Sequence, residues 1–265
     1  MEDSAVGLSS DIRWLDAECR LGRSEQRRPG APVTAEDLVA ELNELQLAGA
    51  LVYHADAAGH DPAYGNRRLL AEIAGHPELL PCWVMLPHET GEVAPPEEVV
   101  AAMLDAGVRA ARILPYTYRF AFRVWNLEPL LSQLADHRIP LWVDFGHDGW
   151  SERTIDWEGI HEVCEAFPEL PVVLVRPNIG SNRWLFPLMH KHANLHVETS
   201  YYTVHRGIEL VCETLGPERV LFGTGMPHRA PGPAITALAY SLIDDEARAL
   251  VAGGNLRRLL EAVSV

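Results

Sequence analysis

The sequence predicts an α/β protein built as a single-domain (β/α)8 barrel, and three observations predict it. Eight short runs rich in apolar and β-branched residues recur along 265 residues. Segments of helical periodicity separate them, and several of the runs are apolar on both faces, as strands of a helix-covered parallel sheet are. A chain of this length fits one such barrel. The competing architecture, an open doubly wound sheet, lacks its sign here, because no glycine-rich phosphate fingerprint follows an early strand.

Taken in order, strands are expected over 13–19, 49–55, 79–86, 109–115, 140–146, 171–177, 194–200 and 219–225. The first helix opens at Thr34, three residues before Asp37 in a capping-box arrangement, and ends on Gly49. The segment "PPEEVVAAMLDAG" starts with proline and carboxylates and stops at Gly107. "NLEPLLSQLADHR", "DWEGIHEVCEAFPE", "RWLFPLMHKHA", "VHRGIELVCETLG" and the terminal "AITALAYSLIDDEARALVAGGNLRRLLEAV" read as helical on the same logic. "DPAYGNRRLL", with Gly65 and Asn66, reads as a cap or turn leading into a helix. One domain is expected over 1–265, with residues 1–11 read as an acidic, flexible N-terminus and 23–30 read as a basic loop, expected to be solvated or to close over the barrel mouth.

Composition narrows the function classes. Hydrophobic residues at 48% and charged ones at 22% suit a globular protein with a full core. A net charge of -15 excludes a nucleic-acid footprint, which needs Lys and Arg to neutralise phosphates. Four scattered cysteines, with no CxxC, read as core thiols in a reducing compartment. With no apolar leader segment and no membrane-length apolar run, a soluble cytoplasmic protein without membrane contact is expected.

In such a barrel the C-terminal strand ends face the site. Those ends carry Glu18 and Arg20, His54 and Asp56, His88, Arg112, Asp144 and His147, Arg176 and Asn178, then Glu198, Ser200 and Tyr201, and finally Gly225 and His228. Glu18, Arg20, Asp144 and Arg176 each follow directly on an apolar run, where an unpaired buried charge costs several kcal/mol. Two are negative and two positive, so they are expected to pair with one another. "HKHANLH" (His190, His192, His196) lies at the opposite end, where a helix passes into the seventh strand, and is read as a helix ending.

These stretches, in this order, resemble the amidohydrolase-related group of the amidohydrolase superfamily from about residue 13 to 260. The carriers are "LDAECRLG", "GVRAARILP", "IPLWVDFG", "PVVLVRPNIG", "ANLHVETS", "GPERVLFGTGMP" and "GGNLRRLL". The resemblance implies a TIM-barrel hydrolase or decarboxylase, in a family that often carries Zn or Mn. At the family's metal ligands, however, Glu18 and Arg20 stand for the two histidines of strand one. Asp144 and Arg176 stand for those of strands five and six, and Gly225 for the aspartate of strand eight.

Arginine offers a cation no donor, so no metal cofactor is expected, a divalent ion such as Zn being the alternative. On this reading Arg20, Arg112 and Arg176 supply the positive charge and grip a small anionic substrate, with Tyr201 and His205 touching it. Glu18 and Asp144 act as general acid and base, and His54 and His228 shuttle protons. The expected activity is a hydrolase or lyase acting without a metal on a small carboxylate. Two alternatives stand beside it: an inactive barrel that binds a small anion, and a metal-dependent hydrolase with its ion among Glu18, Asp144, His147, His54 and His228. A homodimer is implied by the resemblance alone.

Overall fold

The structure is a computed structural model that describes residues 12–23, 29–146 and 155–265. The expectations for residues 1–11, for His147 and for most of the 23–30 loop therefore lie outside the described residues.

All strand pairings are parallel. They run β1 (Leu15–Leu21), β2 (Gly49–His54) and β3 (Leu79–Pro81) in one set, and β4 (Trp83–Val84), β5 (Ala111–Ile113), β6 (Leu141–Val143), β7 (Val172–Leu174), β8 (Leu195–Glu198) and β9 (Val220–Leu221) in the other. β3 and β4 are two halves of one stave: Cys82 N–H donates to Val52 at 2.8 Å, and the next amide, Trp83, donates to Ala110 on the other side at 3.0 Å. The ring closes between β9 and β1, where Ala17 N–H donates to Phe222 O at 2.8 Å and Arg20 N–H to Met226 O at 2.9 Å. Eight staves thus form a closed barrel, and each expected run contains its strand except the first, where β1 continues two residues past the expected end at 19 to Leu21.

Alternation along each stave sorts the apolar residues into two layers. Leu51, Tyr53, Val84, Ala110, Trp142, Val173 and Leu221 pack together inside the ring. Val52, Ile113, Leu141, Val143, Leu174 and Val197 pack outward against the helices. On β1 the alternation breaks, because Asp16 pairs with Ala50 and Cys19 with Val52, two residues opposing one between these pairs. This bulge lets Ala17 and Glu18 both face Leu51 on the inner side and carries Arg20 inward beside Tyr53, while Cys19 joins the outer layer.

Helices cover the staves. α1 (Ala35–Glu44) starts at Thr34, whose hydroxyl accepts from Asp37 N–H while Asp37 accepts from Thr34 N–H, the reciprocal cap the spacing predicts. The "DPAYGNRRLL" stretch is itself helix: α3 (Pro62–Glu72) is capped by Asp61, which accepts from Tyr64 N–H at 3.0 Å. Gly65 is required because α2 (Ala55–Gly59) crosses there, and a Cβ would lie 2.1 Å from the Ala57 nitrogen. The buried Asn66 exchanges two 2.9 Å hydrogen bonds with the Val84 backbone and ties α3 to its stave.

The terminal stretch breaks where one helical run was expected. α9 (Gly232–Ala239) and α10 (Asp245–Ala249) are separated by Asp244, which accepts from Ala247 N–H at 2.7 Å and so starts a new helix. A wide turn over Leu250–Gly254 then leads into α11 (Asn255–Glu261), with Gly253 lying against β1, where a Cβ would meet Arg13 O at 2.6 Å. Of the "HKHANLH" histidines, His190 ends α7 (Asn182–Lys191), and His196 is buried in β8 with its pKa pushed down to about 4, first by desolvation.

Candidate active site

Four staves bring charge into the same few ångströms. Glu18 comes from the bulge of β1, Arg112 from β5, Asp144 from the residue after β6, and Arg176 from just beyond β7. Arg112 is 1% exposed. Its guanidinium reaches Asp144 Oδ2 at 2.7 Å with one nitrogen and both Glu18 oxygens with its fork, the shorter of these through Nη2. Arg176 donates to Glu18 Oε1 at 2.9 Å and to the Tyr53 hydroxyl at 3.1 Å, and stands 3.5 Å from Asp144. Beneath this cluster the Tyr53 ring lies 3.9 Å from the Arg112 guanidinium carbon, a cation–π stack.

The electrostatics follow from burial opposed by pairing. Burial alone would weaken the charge on Arg112 and Arg176, but the facing carboxylates and Tyr53 hold both pKa values above the ordinary guanidinium value. Asp144 suffers the same desolvation, yet Arg176 and Arg112 hold its carboxyl below the usual range. Arg176 also has a left-handed backbone, φ 58°. For a residue with a Cβ this is uncommon and is retained where the surroundings fix it.

Arg20 does not join the pairing expected of it. It is partly buried at the end of β1, and its Nε and Nη2 atoms are out of solvent with no hydrogen-bond partner. Desolvation, with the neighbouring Arg176 adding to it, lowers its pKa. The negative charges that were to neutralise Arg20 are held by Arg112 and Arg176, because the fork of Arg112 sits between them on the facing stave.

His54 also falls elsewhere. It pairs with Leu21 one step beyond the inward Arg20–Tyr53 pair, so it points out to the helix layer. There its Nδ1 accepts from Asp56 N–H at 3.0 Å and its Nε2 lies 3.4 Å from Glu72, which makes it the cap of α2. His205 is exposed just before α8 (Gly207–Leu215), and His228 is partly buried in the turn after β9. Tyr201 lies close to the cluster, with its ring 5.5 Å from the Arg176 guanidinium carbon and 4.3 Å from that of Arg229.

Two acids that sequence reasoning left without a role stand at the same end. Glu198, fully buried, accepts from the Ser200 amide and, at 2.9 Å, from the Ser200 hydroxyl. Desolvation, then the Glu18 charge, push its pKa up to about 8. Gly223 leaves the space it occupies, since a Cβ there would lie 2.0 Å from its Oε1. Asp16 faces the seam, where it accepts from the amides of Glu18 and Thr224 at 2.9 Å each and from the Thr224 hydroxyl. A strand-end list could have found Glu198, but nothing in its neighbours along the chain reveals its depth.

Comparison with known proteins gives the frame. A family model described as amidohydrolase matches residues 19–262. None of the curated proteins compared matches the chain. Among solved structures, 5-carboxyvanillate decarboxylase from Sphingomonas paucimobilis is 16% identical, with TM-score 0.72 over 96% of this chain and 100% of that one. The 5-carboxyvanillate decarboxylase from Novosphingobium aromaticivorans, with bound manganese and 3-methoxy-4-hydroxy-5-nitrobenzoic acid, is 10% identical, with TM-score 0.74 over 96% and 99%. A dihydroxybenzoic acid decarboxylase from Polaromonas, with bound manganese and 2-nitroresorcinol, is 12% identical, with TM-score 0.69 over 94% and 97%.

The bound manganese in two of these proteins overturns the expectation of no metal cofactor, since this fold is one that its members use to hold a divalent ion. The side chains described here do not make a donor set for it as placed. Glu18 and Asp144 spend their oxygens on Arg112 and Arg176, and the orphaned nitrogens of Arg20 call for an acceptor rather than a cation. Among the described residues no group of three or more His, Cys, Asp or Glu is arranged to hold a metal.

Proposed function

Since the chain belongs to the amidohydrolase family, we propose that it is a lyase or hydrolase acting on a small carboxylic acid held at the barrel mouth by Arg20. The observation that carries this reading is the buried, partnerless edge of the Arg20 guanidinium beside a cluster whose other cations are paired. A buried donor with no acceptor is costly, and a substrate carboxylate supplies two acceptors in the geometry of the arginine fork. Arg112 and Arg176 then serve as the frame: their ion pairs fix Glu18 and Asp144 and position Tyr53 below the mouth.

The proton chemistry falls to a residue other than Asp144. A carboxyl held below its usual pKa by two arginines is a weak base, so Asp144 anchors. Glu198, with a pKa of about 8, holds its proton at neutral pH and is held in place by the Ser200 hydroxyl, which donates to it at 2.9 Å. The similar solved structures described as decarboxylases make cleavage of a carboxylate from an aromatic ring the first reaction to assay. In such a step the bond to the carboxylate breaks, its electron pair stays on the ring carbon, and that carbon takes a proton. Glu198 is the donor on this reading.

Calorimetric titration with aromatic monocarboxylates, alongside carbon dioxide release, tests the proposal. Arg20→Ala is expected to weaken binding by roughly ten- to hundredfold, as loss of a charge-assisted contact of about 1.5–3 kcal/mol implies. Unchanged binding by that variant removes Arg20 from the site.

A further inference from the structure

A chamber opens at the foot of the barrel, the end away from the mouth. Its volume is about 410 Å3, within the range of about 300–1,000 Å3 that small-molecule sites occupy. The wall is made of strand starts: Leu15 opens β1, Ala48 directly precedes β2, Glu78 directly precedes β3, and Arg109 stands two residues before β5. α11 closes the chamber with Arg257 and Leu260. Arg20 lies five residues beyond Leu15 along β1, which puts the chamber roughly 15 Å from the mouth at about 3.3 Å per residue. Its floor is apolar, because Leu15, Leu80 and Leu260 are only partly buried and pack against the inner layer of the barrel, so the inner core reaches the chamber wall.

Three arginines from separate segments line this one chamber: Arg13 before β1, Arg109 before β5 and Arg257 in α11. Among the described residues Arg13 and Arg257 make no side-chain hydrogen bond or ion pair, and Arg109 makes one long contact, donating to Leu260 O at 3.4 Å. Two carboxylates share the wall: Glu78, which lies 3.8 Å from His76 Nδ1, and Glu261 at the end of α11. Three cations against two anions leave a positive excess here, in a chain of net charge -15.

From this juxtaposition we infer that the foot of the barrel is a second ligand site, which takes a phosphate monoester with an apolar body, its phosphate on Arg13, Arg109 and Arg257 and its body on the leucines. The inference is independent of the reading of the mouth. Phosphate fits the head group better than carboxylate does, because one arginine fork uses up both oxygens of a carboxylate, whereas a phosphate monoester presents three terminal oxygens to forks arriving from three sides. A soluble ester fits better than a lipid in a bilayer. The apolar surface lines a chamber instead of standing proud, and the acidic chain is repelled by an anionic membrane surface.

Calorimetric titration of the full chain with octyl phosphate, below its micelle concentration, tests this against inorganic phosphate, octanoate and octyl glucoside. Octyl phosphate is expected to bind at one site at least about tenfold more tightly than any of the three, which lack in turn the apolar body, the third oxygen and the charge. Arg13→Gln/Arg257→Gln removes two charges that make no internal contact and is expected to weaken octyl phosphate by about tenfold or more. Ala48→Trp, which fills the chamber and leaves its charges in place, is expected to abolish binding. Arg20→Ala is expected to leave affinity within about twofold, since distant sites act independently. Binding lost in Arg20→Ala but kept in the other variants places the anion at the mouth and overturns the inference. Equal affinity for octyl phosphate and any comparison compound, or no binding by wild type, overturns it as well. Vesicles of phosphatidylcholine and phosphatidic acid are expected not to sediment the chain; sedimentation that Arg13→Gln/Arg257→Gln abolishes makes this face a bilayer contact and overturns the soluble ligand.

Discussion

Arg112 keeps its charge while almost wholly out of water because two carboxylates face it. Removing one member of such a group strands the others, so Arg112→Met should cost about 3–5 kcal/mol in urea unfolding. A loss under 1 kcal/mol would mean that Glu18 and Asp144 reach water without it. Glu198 gives a prediction with a sign. Its pKa stands near 8 in the folded protein against 4.5 for a free glutamate. The folded state therefore binds the extra proton, and stability falls as pH rises from about 4.5 to about 8, then levels. Glu198→Gln should flatten that part of the curve of melting temperature against pH, and an unaltered slope would place the proton elsewhere. At this scale the sequence showed which charges gather but not how they pair. Both Arg20 and Arg112 sit at strand ends in the primary structure, and only the ring brings Arg112 rather than Arg20 between Glu18 and Asp144. The outward turn of His54 was hidden because all six residues of β2 are buried, which leaves no polar alternation to read.

The helix starts and the eight staves were legible because they are written locally, in caps and apolar runs. Thr34 illustrates the point: spacing alone predicts its reciprocal cap, and Thr34→Ala should cost about 1 kcal/mol by thermal melt. The bulge in β1 was not legible, since an extra residue in a strand has no signature among Asp16, Ala17 and Glu18 until the partner strand is laid beside it. The same holds for the tight approach at Gly223. An added methyl there meets the Glu198 carboxyl, and Gly223→Ala should destabilise by about 1–3 kcal/mol, as overpacking does, with part of the loss recovered in the Gly223→Ala/Glu198→Ala double variant. If the double variant is no better than the single, the crowding lies with the backbone. The break of the terminal segment at Asp244 was legible in principle, for Asp at a helix start is a common cap, but it sits inside a run whose periodicity continues across it.

For the molecule as a whole, the acidic exterior and the cationic mouth act on a charged ligand at different distances. At long range a chain of net charge -15 repels a carboxylate, whereas within the mouth the arginines attract it. Salt screens the distant repulsion more than the buried contacts. The association rate of a carboxylate should therefore rise with ionic strength while its dissociation rate changes little, and stopped-flow measurement at two salt concentrations checks this. A falling association rate would show that the field of the arginines reaches beyond the mouth. The clasp of Asp16 on Thr224 has a consequence in time as well as in space. The first stave and the last are joined by backbone hydrogen bonds and by this one side chain, so Glu18 and Arg20, made early on the ribosome, have no fixed orientation until the final stave emerges. The mouth is thus completed only at the end of synthesis, and a nascent chain halted before β9 would carry nearly all of its arginines and no place for a ligand.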